Sequence, residues 1–346
     1  MVLMRTQSHC ASRVFVDDGS GHTNSQQLTS DHRPSLPPSL RAAGLGGPAT
    51  AVVHLCRNGD SPRPWMVWVH GAGQGKPIDL LLSRARRLQN ELGLNIALPV
   101  QPGCGVRRDA WPPYPTMDPL ANVAGVIRAL SEVRAPLRWL RPQATTIAIA
   151  GLSMGSPVAA LVSHLEPVDA VAVFTPILDL NATIGALTPR WDGALRGTRE
   201  LLQSNAASDL AAAIDYLRVS PSAPPDRRLI VGARHDRMAM REPALALHER
   251  WGGRLYLHDG SHVGHVFSSG VRKTTEHFLR AVADPLTRNS TRWVPGRRYV
   301  PGLLAHDAAV HLVAGQSPVP HAISLLELVI LRLCDVDTTA HKGSQL

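Results

Sequence analysis

Between about residues 50 and 284, short continuous apolar runs alternate with segments of helical spacing, and this alternation constrains the fold more than any other feature. The runs fall at 50–55, 65–69, 95–100, 146–150, 170–174, 229–231 and 254–257. An unbroken apolar run bounded by turn residues suits a strand buried on both faces. The intervening segments at 78–92, 119–130, 156–165, 206–216, 242–251 and 271–282 carry the helical period. Strand–helix alternation of this kind predicts an α/β fold with a doubly wound, mostly parallel sheet and helices on both faces.

The pattern divides the chain. Residues 1–48 are polar and rich in Ser, Gly and Pro, and Arg33-Pro34-Ser35-Leu36-Pro37-Pro38 suits neither helix nor central strand. This part reads as a flexible leader with one short strand at 13–16. Residues 49–284 read as the main domain. Within it the stretch of about 176–226 is too long for an ordinary strand-to-helix connection and reads as a short helical cap over the carboxyl ends of the strands. Residues 285–346 read as an extension with a Pro- and Arg-rich linker and weak helical patterns near 303–313 and 322–333. The second of these contains LLELVILRL, which could pack on the main domain, pack on another subunit of a homo-oligomer, or be a poorly ordered extension.

The formal charge of +9 raises nucleic-acid or anionic-membrane binding, but its distribution argues against both. Lys76, Lys273 and Lys342 are the sole lysines, the arginines are scattered, and no aromatic residues interleave with them to stack bases. A hydrophobic fraction of 44% excludes a disordered chain. Cys10, Cys56, Cys104 and Cys334 have neither metal nor disulfide spacing, so no metal, no cofactor and a reducing compartment are expected. The N-terminus has no apolar stretch long enough for a signal-peptide core, and no run approaches the length of a membrane span; 323–333 comes nearest to one, is short, and holds Glu327 and Arg332. A cytoplasmic protein without stable membrane insertion is the expectation.

The chemistry concentrates at Gly151-Leu152-Ser153-Met154-Gly155, a G-x-S-x-G that follows one predicted strand and opens a predicted helix. In that context the sharp turn raises Ser153 Oγ above the sheet edge. Bulk is forbidden at Gly151 and Gly155, and the Met154 N–H and helix dipole point toward the same place. A second signal is Trp65-Met66-Val67-Trp68-Val69 running into His70-Gly71-Ala72-Gly73-Gln74-Gly75. Its glycines would let a backbone N–H, that of Ala72, face a developing oxyanion. His70 reads as a supporting residue that hydrogen-bonds the loop. A phosphate-binding loop fails here because Gly75-Lys76 is followed by Pro77.

With these motifs the chain resembles the α/β-hydrolase superfamily over about residues 50–284. The resemblance implies a serine, an acid and a histidine in that chain order, each following a strand. Asp236, after the strand Arg228–Ala233, then looks like the acid, with Asp179 as the alternative on the preceding strand. His262, in Gly260-Ser261-His262-Val263-Gly264, looks like the base, with His265 next and His258 structural. His262 would take the Ser153 proton during attack on a carbonyl, Ala72 and Met154 would hold the oxyanion, and Asp236 would fix the histidine tautomer.

The implied activity is cleavage of a carboxylic ester or thioester, lipase-like variants included, on a small-molecule acyl ester or lipid. An acyltransferase with the same triad and a non-catalytic binding protein of the same fold are the alternatives. Arg107 or Arg108 could meet an anionic substrate, although surface arginine is the simpler reading. Cys104 lacks an elbow and reads as inert. Ile177, Leu178, Leu180, Ile184, Leu187, Leu201 and Leu202 of the cap could line an acyl pocket or simply pack the cap.

Overall fold

The computed structural model describes residues 13–16, 25–32, 49–57, 61–76, 78–79, 84–108, 114–189 and 192–283. Among them are nine strands: β1 (Arg13–Val16), β2 (Ser25–His32), β3 (Ala49–Cys56), β4 (Arg63–Val69), β5 (Asn95–Val100), β6 (Ala144–Leu152), β7 (Ala170–Phe174), β8 (Arg228–Ala233) and β9 (Arg254–His258). The helices are α1 (Ala85–Leu92), α2 (Pro119–Leu140), α3 (Gly155–Leu165), α4 (Leu180–Leu187), α5 (Arg196–Leu202), α6 (Asn205–Ala211), α7 (Glu242–Trp251) and α8 (Ser269–Ala283).

The strands form one sheet in the order β1-β2-β3-β5-β4-β6-β7-β8-β9. From β5 to β9 all neighbours are parallel, whereas β1, β2 and β3 add an antiparallel edge. Each strand sends alternate side chains to opposite faces, which gives the sheet two cores. Val53, Val67, Val69, Ile147, Ile149 and Val173 face one core, shared with α2, α3 and α7. Val52, Met66, Trp68, Ile96, Leu98, Ala150 and Phe174 face the other, shared with α1 and α8. Ile149 and Val67 are wholly inaccessible, and burial of such a side chain contributes about 1.5–3 kcal/mol.

Local chemistry sets the helix ends. Asp118 caps α2, its Oδ1 accepting the Leu120 and Ala121 N–H groups at 2.9 and 3.3 Å, and Pro119 occupies the first turn. α1 stops at Gly93 in the left-handed conformation.

The structure alters four expectations. Residues 25–32, part of the expected flexible leader, pair along their length with β3 as β2. SQQLTSDH lacks an apolar run because its backbone is satisfied in the ladders with β1 and β3, which require no apolar side chains. α2 runs on to Leu140 through Pro136, where a stop at 130 was expected, because Val133, Leu137 and Leu140 continue its buried stripe. The segment expected to be helical from 206 to 216 is helical only to Ala211 before turning into 3-10 pieces. The helix expected from 78 is observed from Ala85; residues 80–83 and the expected C-terminal helices at 303–313 and 322–333 lie outside the described residues.

The sheet order also fixes where a site can form. β4 has β5 on one side and β6 on the other, so the connections after β4 and β6 leave the sheet at a switch in strand order. In parallel α/β sheets such a switch opens a crevice at the carboxyl ends of the strands.

Candidate active site

Ser153 stands at that switch. β6 ends at Leu152, and Ser153 takes φ 53° before α3 begins. A non-glycine residue in this region costs about 1–3 kcal/mol and persists only where its surroundings enforce it. Here the Ser153 N–H donates to the Phe174 carbonyl at 2.8 Å and the Ser153 carbonyl accepts the Ser156 N–H at 2.9 Å. The flanking glycines are steric requirements. A Cβ on Gly151 would lie 2.5 Å from the Gly155 carbonyl oxygen and 2.7 Å from Ala159 Cβ. One on Gly155 would run into the carbonyl oxygens of Val69 and His70.

The loops after β8 and β9 bring Asp236 and His262 to the serine. The Arg234 N–H donates to the His258 carbonyl at 3.0 Å and the His235 N–H to the Gly260 carbonyl at 3.1 Å, so the two loops are tied together. His262 Nε2 is 2.8 Å from Ser153 Oγ, and His262 Nδ1 is 2.8 Å from Asp236 Oδ2. Asp236 Oδ1 accepts the Met238 and Ala239 N–H groups at 2.8 and 2.9 Å. Its side chain is inaccessible to solvent. An ionised carboxylate can only accept, so Nδ1 carries the ring proton and Nε2 presents a lone pair to the serine hydroxyl.

The other histidines are held elsewhere. His265 Nδ1 donates to the His262 carbonyl at 2.9 Å, and burial lowers its pKa to about 4. His258 is buried at the end of β9, and among the described residues neither of its ring nitrogens has a hydrogen-bond partner. The alternative acid, Asp179, caps α4 by accepting the Ala182 N–H at 2.9 Å and makes no hydrogen bond or ion pair with a histidine among the described residues.

The loop after β4 lies against the elbow, where a Cβ on Gly71 would sit 3.5 Å from Ser153 Cβ. His70 is fully buried and its pKa is lowered by burial to about 4. Its Nδ1 donates to the Gly71 carbonyl at 2.7 Å and its Nε2 accepts the Gln101 N–H at 3.0 Å. Gln74 Oε1 accepts the Gly71 N–H at 2.9 Å, and Asp79 Oδ2 accepts the Gly75 and Lys76 N–H groups at 2.7 Å each. Gln74, Asp79 and Gln101 thus hold the loop, three roles that the sequence motifs do not signal. A polar Gln101 directly after the apolar β5 was the available signal. Among the described residues neither the Ala72 nor the Met154 N–H donates a hydrogen bond.

Arg107 is buried and held by Glu132 at 2.6 and 2.9 Å and by the Val100 carbonyl at 2.7 Å, so it packs the interior and is not a surface arginine. Cys104 is also buried, which pushes its thiol up to about 12. Ile177, Leu180, Ile184 and Leu202 pack into the main core, while Leu201 is exposed. Among the described residues no group of three or more His, Cys, Asp or Glu side chains is placed to hold a metal ion, and no helix is long and apolar enough to cross a membrane.

No family model matches the chain. Uncharacterized proteins from two strains of Mycobacterium tuberculosis are each 35% identical to it over 227 residues, 63% of this chain and 54% of theirs. The chain thus spans about half the length of the curated relatives it matches. Among solved structures, an esterase from Pyrococcus furiosus superposes with a TM-score of 0.51 at 16% identity, covering 68% of this chain and 87% of that one. An acetyl xylan esterase from Paenibacillus sp. R4 gives 0.52 at 15% identity, covering 80% and 89%. This chain has the fold of the α/β hydrolases.

Proposed function

We propose that the protein is a serine hydrolase that cleaves carboxylic esters or thioesters through Ser153, His262 and Asp236. The observation that carries this reading is the unbroken hydrogen-bonded line from Ser153 Oγ through the His262 ring to Asp236, with 2.8 Å at both steps. A merely structural glycine-rich turn has no need of a strained serine aimed at a histidine, nor of a buried carboxylate behind that histidine.

The mechanism follows from the proton positions. Ser153 Oγ attacks the substrate carbonyl carbon as its proton passes to His262 Nε2, and Asp236 stabilises the imidazolium. The tetrahedral oxyanion takes hydrogen bonds from the Ala72 N–H, in the loop after β4, and from the Met154 N–H, at the start of α3 where the helix dipole also favours negative charge. Loss of one such donor typically costs about 2.7–4 kcal/mol of transition-state stabilisation. His262 then returns the proton to the departing alkoxide or thiolate. Water, deprotonated by the same nitrogen, cleaves the acyl-enzyme to acid and free serine.

The test is steady-state hydrolysis of a panel of p-nitrophenyl esters and acyl thioesters by the wild type, Ser153→Ala and His262→Ala. Turnover by the wild type and its loss in both variants is the expected result; turnover that survives in Ser153→Ala removes the serine from the mechanism. Adding an alcohol acceptor separates hydrolysis from acyl transfer, because a transferase yields the new ester in preference to the free acid.

A further inference from the structure

On the α1/α8 face of the sheet, under the loops that carry Ser153 and His262, lies a cleft of about 630 Å³ including its open mouth. Its inner wall is apolar, built from Met66 and Trp68 of β4, Leu152 of β6 and Phe174 of β7. This wall adjoins the catalytic groups at several points. Leu152 precedes Ser153 in the chain, and Phe174 accepts the Ser153 N–H. Gln74 and His265 also line the cleft; the first holds the Gly71 N–H and the second donates to the His262 carbonyl.

The outer wall has an unusual charge arrangement. Arg84 and Arg272 both line it. The Arg84 guanidinium is pinned by a bond from Nη2 to the Val266 carbonyl at 2.6 Å. Arg272 Nε is buried, and among the described residues the Arg272 side chain makes no hydrogen bond or ion pair. The neighbouring Thr275 hydroxyl is buried and has no hydrogen-bond partner among the described residues. Burial and then the charge of Arg272 hold the Arg84 pKa below its ordinary value, so the two cations feel each other. Glu276, the carboxylate on this wall, is engaged by Arg87 at 3.0 Å, and its charge also acts on Arg84, offsetting part of the repulsion from Arg272 and Arg87. Two neighbouring guanidiniums in a partly desolvated wall repel unless an anion lies between them, and a planar carboxylate matches their donor geometry.

We propose that this cleft binds the acyl part of the substrate, and that the acyl part ends in a carboxylate held by Arg84 and Arg272. The inference rests on the reading of Ser153 as the nucleophile. The substrate class is then the half-ester or half-thioester of an aliphatic dicarboxylic acid. Its methylene chain lies on Met66, Trp68, Leu152 and Phe174, and its scissile carbonyl is at Ser153. Hydrolysis consumes one water and releases the dicarboxylate and an alcohol or thiol.

The experiment compares kcat/KM for the p-nitrophenyl half-esters of succinate, adipate and sebacate with those for p-nitrophenyl butanoate, hexanoate and decanoate. In parallel, calorimetry measures binding of the free dicarboxylates to Ser153→Ala. At least one half-ester is expected to be preferred over its neutral counterpart by tenfold or more. In Arg272→Gln that preference ratio falls by about tenfold to a hundredfold, the range for a hydrogen bond to a charged group. Arg272→Lys restores part of it, and melting curves confirm that both variants are folded. Dicarboxylate binding to Ser153→Ala that Arg272→Gln abolishes supports the cleft even if no ester is turned over, in which case the catalytic reading alone fails. Turnover without preference for any half-ester, together with no dicarboxylate binding, overturns the inference and leaves the hydrolase reading standing.

Discussion

Replacing Asp236 by Asn keeps the shape of the side chain and removes one acceptor. In the native site Oδ1 accepts two backbone N–H groups, from Met238 at 2.8 Å and Ala239 at 2.9 Å, and Oδ2 accepts from His262 Nδ1 at 2.8 Å. An asparagine has one oxygen and one NH2 to place there. With the NH2 against the backbone donors, two buried hydrogen bonds are lost, each at about 1–3 kcal/mol. The oxygen therefore stays on the backbone and the NH2 faces His262. Nδ1 must then accept, the ring proton moves to Nε2, and His262 donates to Ser153 when it should be removing its proton. With the packing intact, kcat/KM should fall about 10⁴-fold, close to 5 kcal/mol of transition-state stabilisation. The assay is hydrolysis of the best ester of the panel, with circular dichroism and a melting curve to confirm folding. A folded Asp236→Asn enzyme that retains more than about a tenth of wild-type kcat/KM would refute the tautomer argument, since no such loss would remain to be explained.

Two further predictions concern groups outside the reaction. His70 and His265 each have a folded pKa of about 4 against an ordinary 6.5, so the unfolded chain binds more protons than the folded one between these values. The stability each contributes is complete above pH 6.5 and is lost as pH falls toward 4, by about 3 kcal/mol per group; urea midpoints across this range should fall steeply for the wild type and less steeply for His265→Gln, and equal slopes would contradict the assignment. Arg107→Met should destabilise the protein, by less than the about 3–5 kcal/mol of a fully stranded buried charge, because the buried Glu132 loses both bonds from Arg107 but keeps that from Arg128 Nε at 2.7 Å. A changed KM with an unchanged melting temperature would mean instead that Arg107 meets substrate.

The central sheet is legible because its strands are buried on both faces, which leaves continuous apolar runs in the sequence. The elbow is legible because Gly151 and Gly155 are steric necessities beside a serine at a strand–helix junction. Asp236 and His262 are found by their order after strands, and nothing in residue type alone separates His262 from His265 or His258. The distinction is tertiary: the paired β8 and β9 loops turn one ring toward Ser153 and turn His265 back onto its own loop. β2 is illegible because its stability lies in backbone pairing with β3 rather than in side-chain pattern. The length of α2 is hidden by Pro136, whose breaking tendency is overridden by packing of the residues after it. Arg107 cannot be told from its surface neighbours, because its partner Glu132 lies 25 residues away on another element. The charged wall of the cleft is hidden for the same reason, since Arg84 and Arg272 meet only when α8 packs beside α1.

The most direct test of the account is reaction of the native protein with a fluorophosphonate, followed by peptide mass spectrometry. Ser153 Oγ, activated by His262, should displace fluoride from phosphorus and carry the adduct stoichiometrically. Labelling should be absent in Ser153→Ala and strongly slowed in His262→Ala and Asp236→Asn. A folded wild-type protein that stays unlabelled at Ser153, or labels equally fast in His262→Ala, would contradict the claim that these three residues form a working nucleophile.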